Sequence, residues 1–115
     1  MNANPKRTAA NANVRDVGHD LVIAQTTRRA TANGTWVTGT IAGHRFDALV
    51  FPEHADCPDY ELGESRISKL WIQRLADHQI VVNFDRGWDI RPVTKSAKAI
   101  VEFLAAGLAD LVYRT

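Results

Sequence analysis

The segment Asp85-Arg86-Gly87-Trp88-Asp89 is the densest group of chemically capable side chains in this 115-residue sequence. Two carboxylates beside a guanidinium and an indole could bind a phosphate, a base or a peptide carboxylate. In the structural alternative, Gly87 supplies an unusual backbone angle, Trp88 covers the end of a core and Arg86 hydrogen-bonds to the adjacent acids. We favour the structural interpretation and retain Asp85, Arg86, Trp88 and Asp89 as candidate binding residues.

A second candidate group is Arg66, Lys69 and Trp71, in the run RISKLWIQR. We expect these side chains to project from a strand, with Ile67 beside them, on a sheet face that a C-terminal helix need not cover. Basic and aromatic residues on a sheet face resemble the platforms that bind single-stranded nucleic acid. The motif typical of those platforms is missing, so a protein-binding or self-association surface is an equal alternative. Structural cover by the segment around Leu21 is favoured over both.

The third candidate group is an acidic loop over residues 52–64, which holds five acids and no Lys or Arg. The loop lacks the paired spacing of a zinc site and the Asp-rich frame of a calcium loop, so we predict no metal site and no cofactor. A solvated loop of this charge could steer a basic partner or imitate nucleic-acid phosphates. Its candidate binding residues are Glu53, Asp56, Asp59 and Glu61.

No catalytic residue is predicted. The four histidines are scattered, and only His78 could meet Arg86 and Asp89 if a hairpin brought them together. Ser-His-Asp, Gly-rich phosphate-loop and His-Glu-x-x-His patterns are missing from the sequence. The protein is therefore expected not to be an enzyme, with a small nuclease as the alternative.

Composition indicates an ordinary globular protein of one domain. Hydrophobic residues make up 45%, charged residues 23%, and the net charge is +1, which is low for a strongly basic nucleic-acid binder. No run approaches the roughly 20 apolar residues of a membrane-spanning helix. The single Cys57 cannot form an internal disulfide, which agrees with a reducing compartment. We therefore expect a cytoplasmic protein with no membrane contact.

The elements that must position these groups are strands and one helix. Asn33-Gly34 and Ala42-Gly43 are turn signals that bracket TWVTGTI and HRFDALVF, and they predict a β-hairpin over roughly Thr35 to Phe51. Arg66 to Arg74 and the run QIVVNFDR predict a second hairpin. Residues 1–13 show no periodicity and are expected to be a flexible tail, whereas residues 14–32 are compatible with a strand or a short helix.

The C-terminal segment has the clearest period. Thr94 or Ser96 can cap a helix, and apolar residues then recur at steps of three and four along the chain. This apolar stripe consists of Ala97, Ile100, Val101, Leu104, Leu108, Leu111 and Val112. The predicted fold is therefore α+β: a four-stranded antiparallel meander (ββββ) packed by a C-terminal α-helix, with a single domain over residues 33–115 and a flexible N-terminal tail.

The stretch RISKLWIQR followed by NFDRGWDIRP, with FDALVF upstream, resembles the core of a family of small uncharacterised bacterial domains from plasmid- and phage-borne genes. The resemblance covers roughly Trp36 to Tyr113, and its most distinctive parts are R-I-S-K-L and D-R-G-W-D. It implies the ββββα layout and a mobile-element setting. Small accessory proteins from such settings often act by binding, for example by inhibiting a host defence complex.

Three functional hypotheses follow. The first is a non-enzymatic binding protein, a mobile-element accessory or anti-defence inhibitor, that contacts a protein partner through one of the three candidate groups. The second is a nucleic-acid-binding module or small nuclease that uses the basic and aromatic sheet face. The third is a homo-oligomer formed through an exposed strand edge.

Overall fold

The computed structural model describes residues 17–114, which form one open antiparallel sheet with a helix at its C-terminal end. The six strands lie in chain order across the sheet. They are β1 (Val22–Arg28), β2 (Thr35–Ile41), β3 (His44–Val50), β4 (Ile67–Arg74), β5 (Ile80–Asp85) and β6 (Trp88–Ile90), followed by α1 (Lys95–Tyr113). The α+β class and the C-terminal helix are confirmed, but the sheet has six strands and not four.

The two strands beyond the predicted four form the edges of the sheet, and β1 lies in residues 14–32, which the sequence left open between a strand and a short helix. β1 has six exposed residues out of seven, so it has no apolar alternation, and a bulge between Ile23 and Gln25 breaks its period further. β6 has only three residues and overlaps the Asp85–Asp89 segment, for which the sequence predicts no further strand. The proposed tail over residues 1–13 lies outside the described residues.

The core lies between one sheet face and α1, which packs on β3 and β4. Alternate residues of each central strand point into the core, where Phe46, Leu70 and Ile72 are fully buried. β1 approaches β2 closely at Gly39, where an added Cβ would lie only 2.3 Å from the Val22 carbonyl oxygen. No helix of the described region covers the opposite sheet face. β1 lies beside β2 as an edge strand of the sheet, so it does not cover that face either.

α1 begins as predicted, because the Ala97 amide donates a 3.0 Å hydrogen bond to the Thr94 hydroxyl. The predicted apolar stripe is buried from Ala97 to Leu108, but Leu111 is 43% exposed and faces the solvent. The end of the helix is held by Tyr113, whose hydroxyl donates to the Val50 carbonyl at 2.8 Å. This contact fixes the last helical turn over the ends of β2 and β3.

The register of β4 corrects the predicted position of Ile67. Leu49 pairs with Lys69 and Val50 pairs with Ile67, so Ser68 is an extra residue that shifts the alternation. Ile67 therefore points into the core and is fully buried. It does not lie beside Lys69 and Trp71 on the uncovered face.

Truncation of Leu104 to alanine should lower the free energy of unfolding by about 2–5 kcal/mol, since the side chain is 1% exposed and its removal leaves a cavity. Leu111→Ala, on the same helix but exposed, should lower it by less than about 1 kcal/mol. Urea unfolding of both variants measures the difference. Equal losses would contradict the packing of α1 described above.

Candidate functional site

One end of the sheet gathers parts of all three candidate groups. The β1–β2, β3–β4 and β5–β6 connections lie at this end, as the strand pairing requires. Between them is a cleft of about 620 Å³, here called the end cleft. It is lined by residues of the acidic loop, by the start of β4 and by the turn before β6.

The acidic loop is folded around the buried carboxylate of Glu61. This side chain accepts hydrogen bonds from the backbone amides of Ala55 at 2.9 Å and Arg66 at 2.7 Å. The Nδ1 atom of His54 lies 2.6 Å from the same carboxylate. Glu61 is only 7% exposed, so it is a structural anchor and not the solvated charge that the sequence indicated.

The protonation of Glu61 reflects these contacts. Burial opposes ionisation and by itself raises the pKa of the carboxyl, but hydrogen bonds from His54, Ala55 and Arg66 favour the ionised form. The hydrogen bonds outweigh burial, so the pKa lies below its ordinary value of 4.5. The carboxylate is therefore charged in the folded protein at neutral pH.

Two arginines at the end cleft have left-handed backbone conformations. Arg66 has φ of 65° and Arg86 has φ of 54°, which are uncommon values for residues with a Cβ. Each is fixed by its own amide, since Arg66 donates to Glu61 and Arg86 donates to the Ser68 carbonyl at 2.8 Å. Strained residues held in this way often mark functional positions.

Lys69 and Arg86 form a cationic wall of the cleft together with Arg29. The guanidinium of Arg86 lies over the ring of Tyr60, with 5.9 Å from Cζ to the ring centroid, and that of Arg29 lies 5.4 Å over Phe51. Within residues 17–114 no carboxylate pairs with Arg29, whose guanidinium donates to the Asn33 carbonyl. The wall therefore presents positive charge that the described part of the chain does not fully neutralise.

Arg66 is the exception among the cleft cations. Its Nη1 donates to the Pro52 carbonyl at 3.0 Å and its Nη2 lies 2.5 Å from Asp110 on α1. Arg66 therefore ties the acidic loop to the helix. The sequence predicts that Arg66 projects from the uncovered sheet face, and this prediction is wrong. The positive charge of Arg66 is therefore paired with Asp110 within the protein.

The acidic wall of the cleft is formed by Glu53 and Asp56, which are both exposed. No cation in the described region pairs with either side chain. The end cleft is thus positive on the side of β4 and the β5–β6 turn, and negative on the side of the acidic loop.

Five of the candidate residues lie outside the cleft lining. Trp71 is in the middle of the uncovered sheet face, where the Arg45 guanidinium lies 5.7 Å from its ring centroid. Trp88 packs edge-on against Phe84, with ring centroids 5.2 Å apart. The remaining three, Asp59, Asp85 and Asp89, are exposed on the surface.

Sequence reasoning did not select Arg29, Phe51 or Tyr60 as site residues. Arg29 joins the cleft because the β1–β2 turn returns to it, with the Arg29 amide donating to the Gly34 carbonyl at 3.0 Å. The pair Arg28-Arg29 shortly before the Asn33-Gly34 turn signal was the available clue. Without β1, that pair had no place in the predicted sheet.

Residues 35–109 match the family model described as Domain of unknown function (DUF7678). The chain belongs to this family. The DUF7678 region contains β2 to β6, the acidic loop and most of α1, so Lys69, Arg86 and Glu61 lie inside it, whereas β1 and Arg29 precede it. No curated protein and no solved structure matches the chain.

The longest helix, α1, has 19 residues, yet no helix in residues 17–114 is both long and apolar enough to cross a membrane. Across the same residues, His, Cys, Asp and Glu side chains do not gather in a group of three or more that could hold a metal ion.

Replacement of Glu61 by glutamine should lower the free energy of unfolding at neutral pH by about 1–3 kcal/mol, because buried charge-assisted hydrogen bonds are lost. The folded pKa is depressed, so the contribution of Glu61 is present above its ordinary value of 4.5 and is lost as the pH falls through the folded value. The variant should therefore lose less stability in acid than the parent. Urea unfolding from about pH 7 down to about pH 3 measures both effects.

Glu53→Gln is the matched control, since Glu53 is an exposed acid of the same loop. It should leave both the neutral stability and the acid dependence nearly unchanged. The anchoring role of Glu61 would be refuted if the two variants behaved alike.

Proposed function

We propose that the protein is a non-enzymatic binding protein that holds a protein partner at the end cleft. The observation that carries the proposal is the convergence of three separate chain segments, each with charged side chains, on one cleft beside two arginines of strained backbone. Such backbone angles cost about 1–3 kcal/mol per residue and persist where the surrounding structure holds them, as the hydrogen bonds to Glu61 and Ser68 do here.

The residue types around the cleft support a protein partner. Arginine and tyrosine are enriched at protein interfaces, where each gives a large contact area and directional donors. Tyr60 is half exposed and Arg86 has an exposed side chain above it. A partner that covered this pair would remove both from water at the centre of the contact.

The charge distribution supports the same class of partner. A cleft with one positive and one negative wall complements a protein surface of mixed charge, because each wall meets its opposite. The resemblance noted from the sequence adds a mobile-element setting to the proposal. In that setting a host defence complex, inhibited by this accessory protein, is the first partner to examine.

Capture of partners from cells that produce the tagged full chain tests the proposal. A specific protein should be enriched by the parent, and Arg86→Gln should reduce its recovery about tenfold, the effect of losing a charged contact near an interface centre. Quantitative mass spectrometry provides the measurement.

Arg91→Gln is the control in that experiment. Arg91 is also exposed and also stacks on an aromatic ring, with 5.4 Å from its Cζ to the Trp88 centroid, but it does not line the cleft. Recovery with Arg91→Gln should equal that of the parent. Partners that bind the parent and both variants equally would exclude the end cleft as the binding site.

A nucleic-acid-binding module is the second candidate, and the uncovered sheet face favours it. Trp36 on β2 and Trp71 on β4 share this face with Lys69 and Arg45, and Trp36 is 37% exposed. Aromatic rings could stack on bases while the cations meet phosphates. Asp47 and Asp85 on the same face oppose this reading, since each would repel a phosphate.

Titration of labelled single-stranded DNA and RNA, followed by fluorescence anisotropy at several salt concentrations, separates the two candidates. The nucleic-acid candidate requires an affinity that falls steeply with salt and is weakened by Trp71→Ala. The protein-binding proposal expects no such binding. Salt-dependent binding that Trp71→Ala abolished would favour the sheet face over the cleft.

A further inference from the structure

The carboxylate of Asp85 is shared between two cations of the end cleft. Its Oδ1 atom lies 3.7 Å from Nζ of Lys69 and 3.8 Å from Nε of Arg86. Both distances exceed the roughly 2.7–3.2 Å of a hydrogen bond from nitrogen to oxygen. One carboxylate therefore balances two positive groups through space, and it engages the donors of neither.

The fold also holds Arg86 in place for a ligand. The hydrogen bond that its backbone amide donates to the Ser68 carbonyl fixes its backbone, and the Tyr60 ring lies beneath its guanidinium. A guanidinium stacked on a ring keeps its in-plane N–H groups at its edges, which is the geometry that grips a carboxylate with two parallel hydrogen bonds. Lys69 adds a second positive group on the neighbouring strand, opposite Asp85 in the β4–β5 register.

The acidic wall restricts what can enter. Glu53 and Asp56 line the same cleft and lack a cationic partner in the described region. A chain of closely spaced phosphates would meet these acids as well as the cationic wall. A polypeptide segment that carries an acidic side chain and a nearby basic one avoids this conflict, because its basic group can face Glu53 and Asp56.

From these contacts we infer that Lys69 and Arg86 form a carboxylate-binding subsite, which takes a glutamate or aspartate side chain from a partner segment of mixed charge. The subsite rests on the proposed function, because it names the chemistry that the end cleft recognises in its partner. On binding, the incoming carboxylate displaces Asp85 as the nearest anion to both cations. Asp85 therefore competes with the ligand.

The competition gives two variants of opposite expected effect. Arg86→Gln removes the bidentate donor and should weaken binding of a carboxylate about tenfold. Asp85→Asn removes the competing anion while leaving the backbone hydrogen bond from residue 85 to Gly87 intact, and should strengthen binding by about threefold. A residue with a purely structural role would not produce a gain.

The probe is a short capped peptide with two glutamates followed by two lysines, titrated into the isotope-labelled full chain and followed by amide chemical shifts. Shifts should be centred on Lys69, Arg86 and Tyr60. A peptide with glutamines in place of the glutamates should leave these amides unshifted, and Arg91→Gln should bind the glutamate peptide like the parent.

Inorganic phosphate and a short single-stranded oligonucleotide form the other arms of the titration. Stronger binding of either than of the glutamate peptide would overturn the carboxylate assignment. So would equal binding of the glutamine peptide, no shift at millimolar peptide, or weaker binding by Asp85→Asn. Any of these results together with a cellular partner that still depends on Arg86 would refute the subsite and leave the proposed function standing.

Discussion

The end cleft depends on one buried carboxylate. Glu61 holds the amide of Ala55 on one side of the acidic loop and the amide of Arg66 on the other. These two bonds close the loop over the end of the sheet and bring Tyr60, the residue just before Glu61, against the guanidinium of Arg86. In this loop the carboxylate of Glu61 is buried and stabilises the fold, whereas those of Glu53, Asp56 and Asp59 are exposed to solvent.

The bulge at Ser68 connects this loop to the opposite side of the cleft. Because Ser68 is an extra residue in β4, Ile67 can fill the core while Lys69 returns to the uncovered face. The Ser68 carbonyl is then available to the Arg86 amide. A single inserted residue therefore links the start of β4 to the turn before β6, and places Lys69 and Arg86 together.

How far the sequence predicts this arrangement depends on local signals. The central hairpins and the Thr94 cap follow from turn residues and from periods of two and three to four, which are visible within a few residues. β1 could not be distinguished from a short helix because its residues are mostly exposed and its pairing is set by β2. The candidate residues were chosen by type, but whether each is buried depends on contacts between distant segments. Glu61 and Glu53 look equivalent in the sequence, and only the folded loop separates them.

Positive backbone φ angles occur at both ends of the sheet. Among residues 17–114, four non-glycine residues have positive φ. Ala42 and His78 lie in the β2–β3 and β4–β5 connections, where tight turns commonly need such angles.

Arg66 and Arg86 lie at the opposite end. Arg66 is the last residue of the long β3–β4 connection, whereas Arg86 lies in the two-residue turn between β5 and β6, where such an angle is as common as at Ala42. Left-handed angles cost about 1–2 kcal/mol in a residue with a Cβ, and glycine would avoid that cost. Glycine would also remove the guanidinium. For Arg66, the ion pair with Asp110 accounts for keeping the side chain. For Arg86, the tight β5–β6 turn accounts for the angle, and among the described residues the guanidinium meets only the distant Asp85 and the Tyr60 ring.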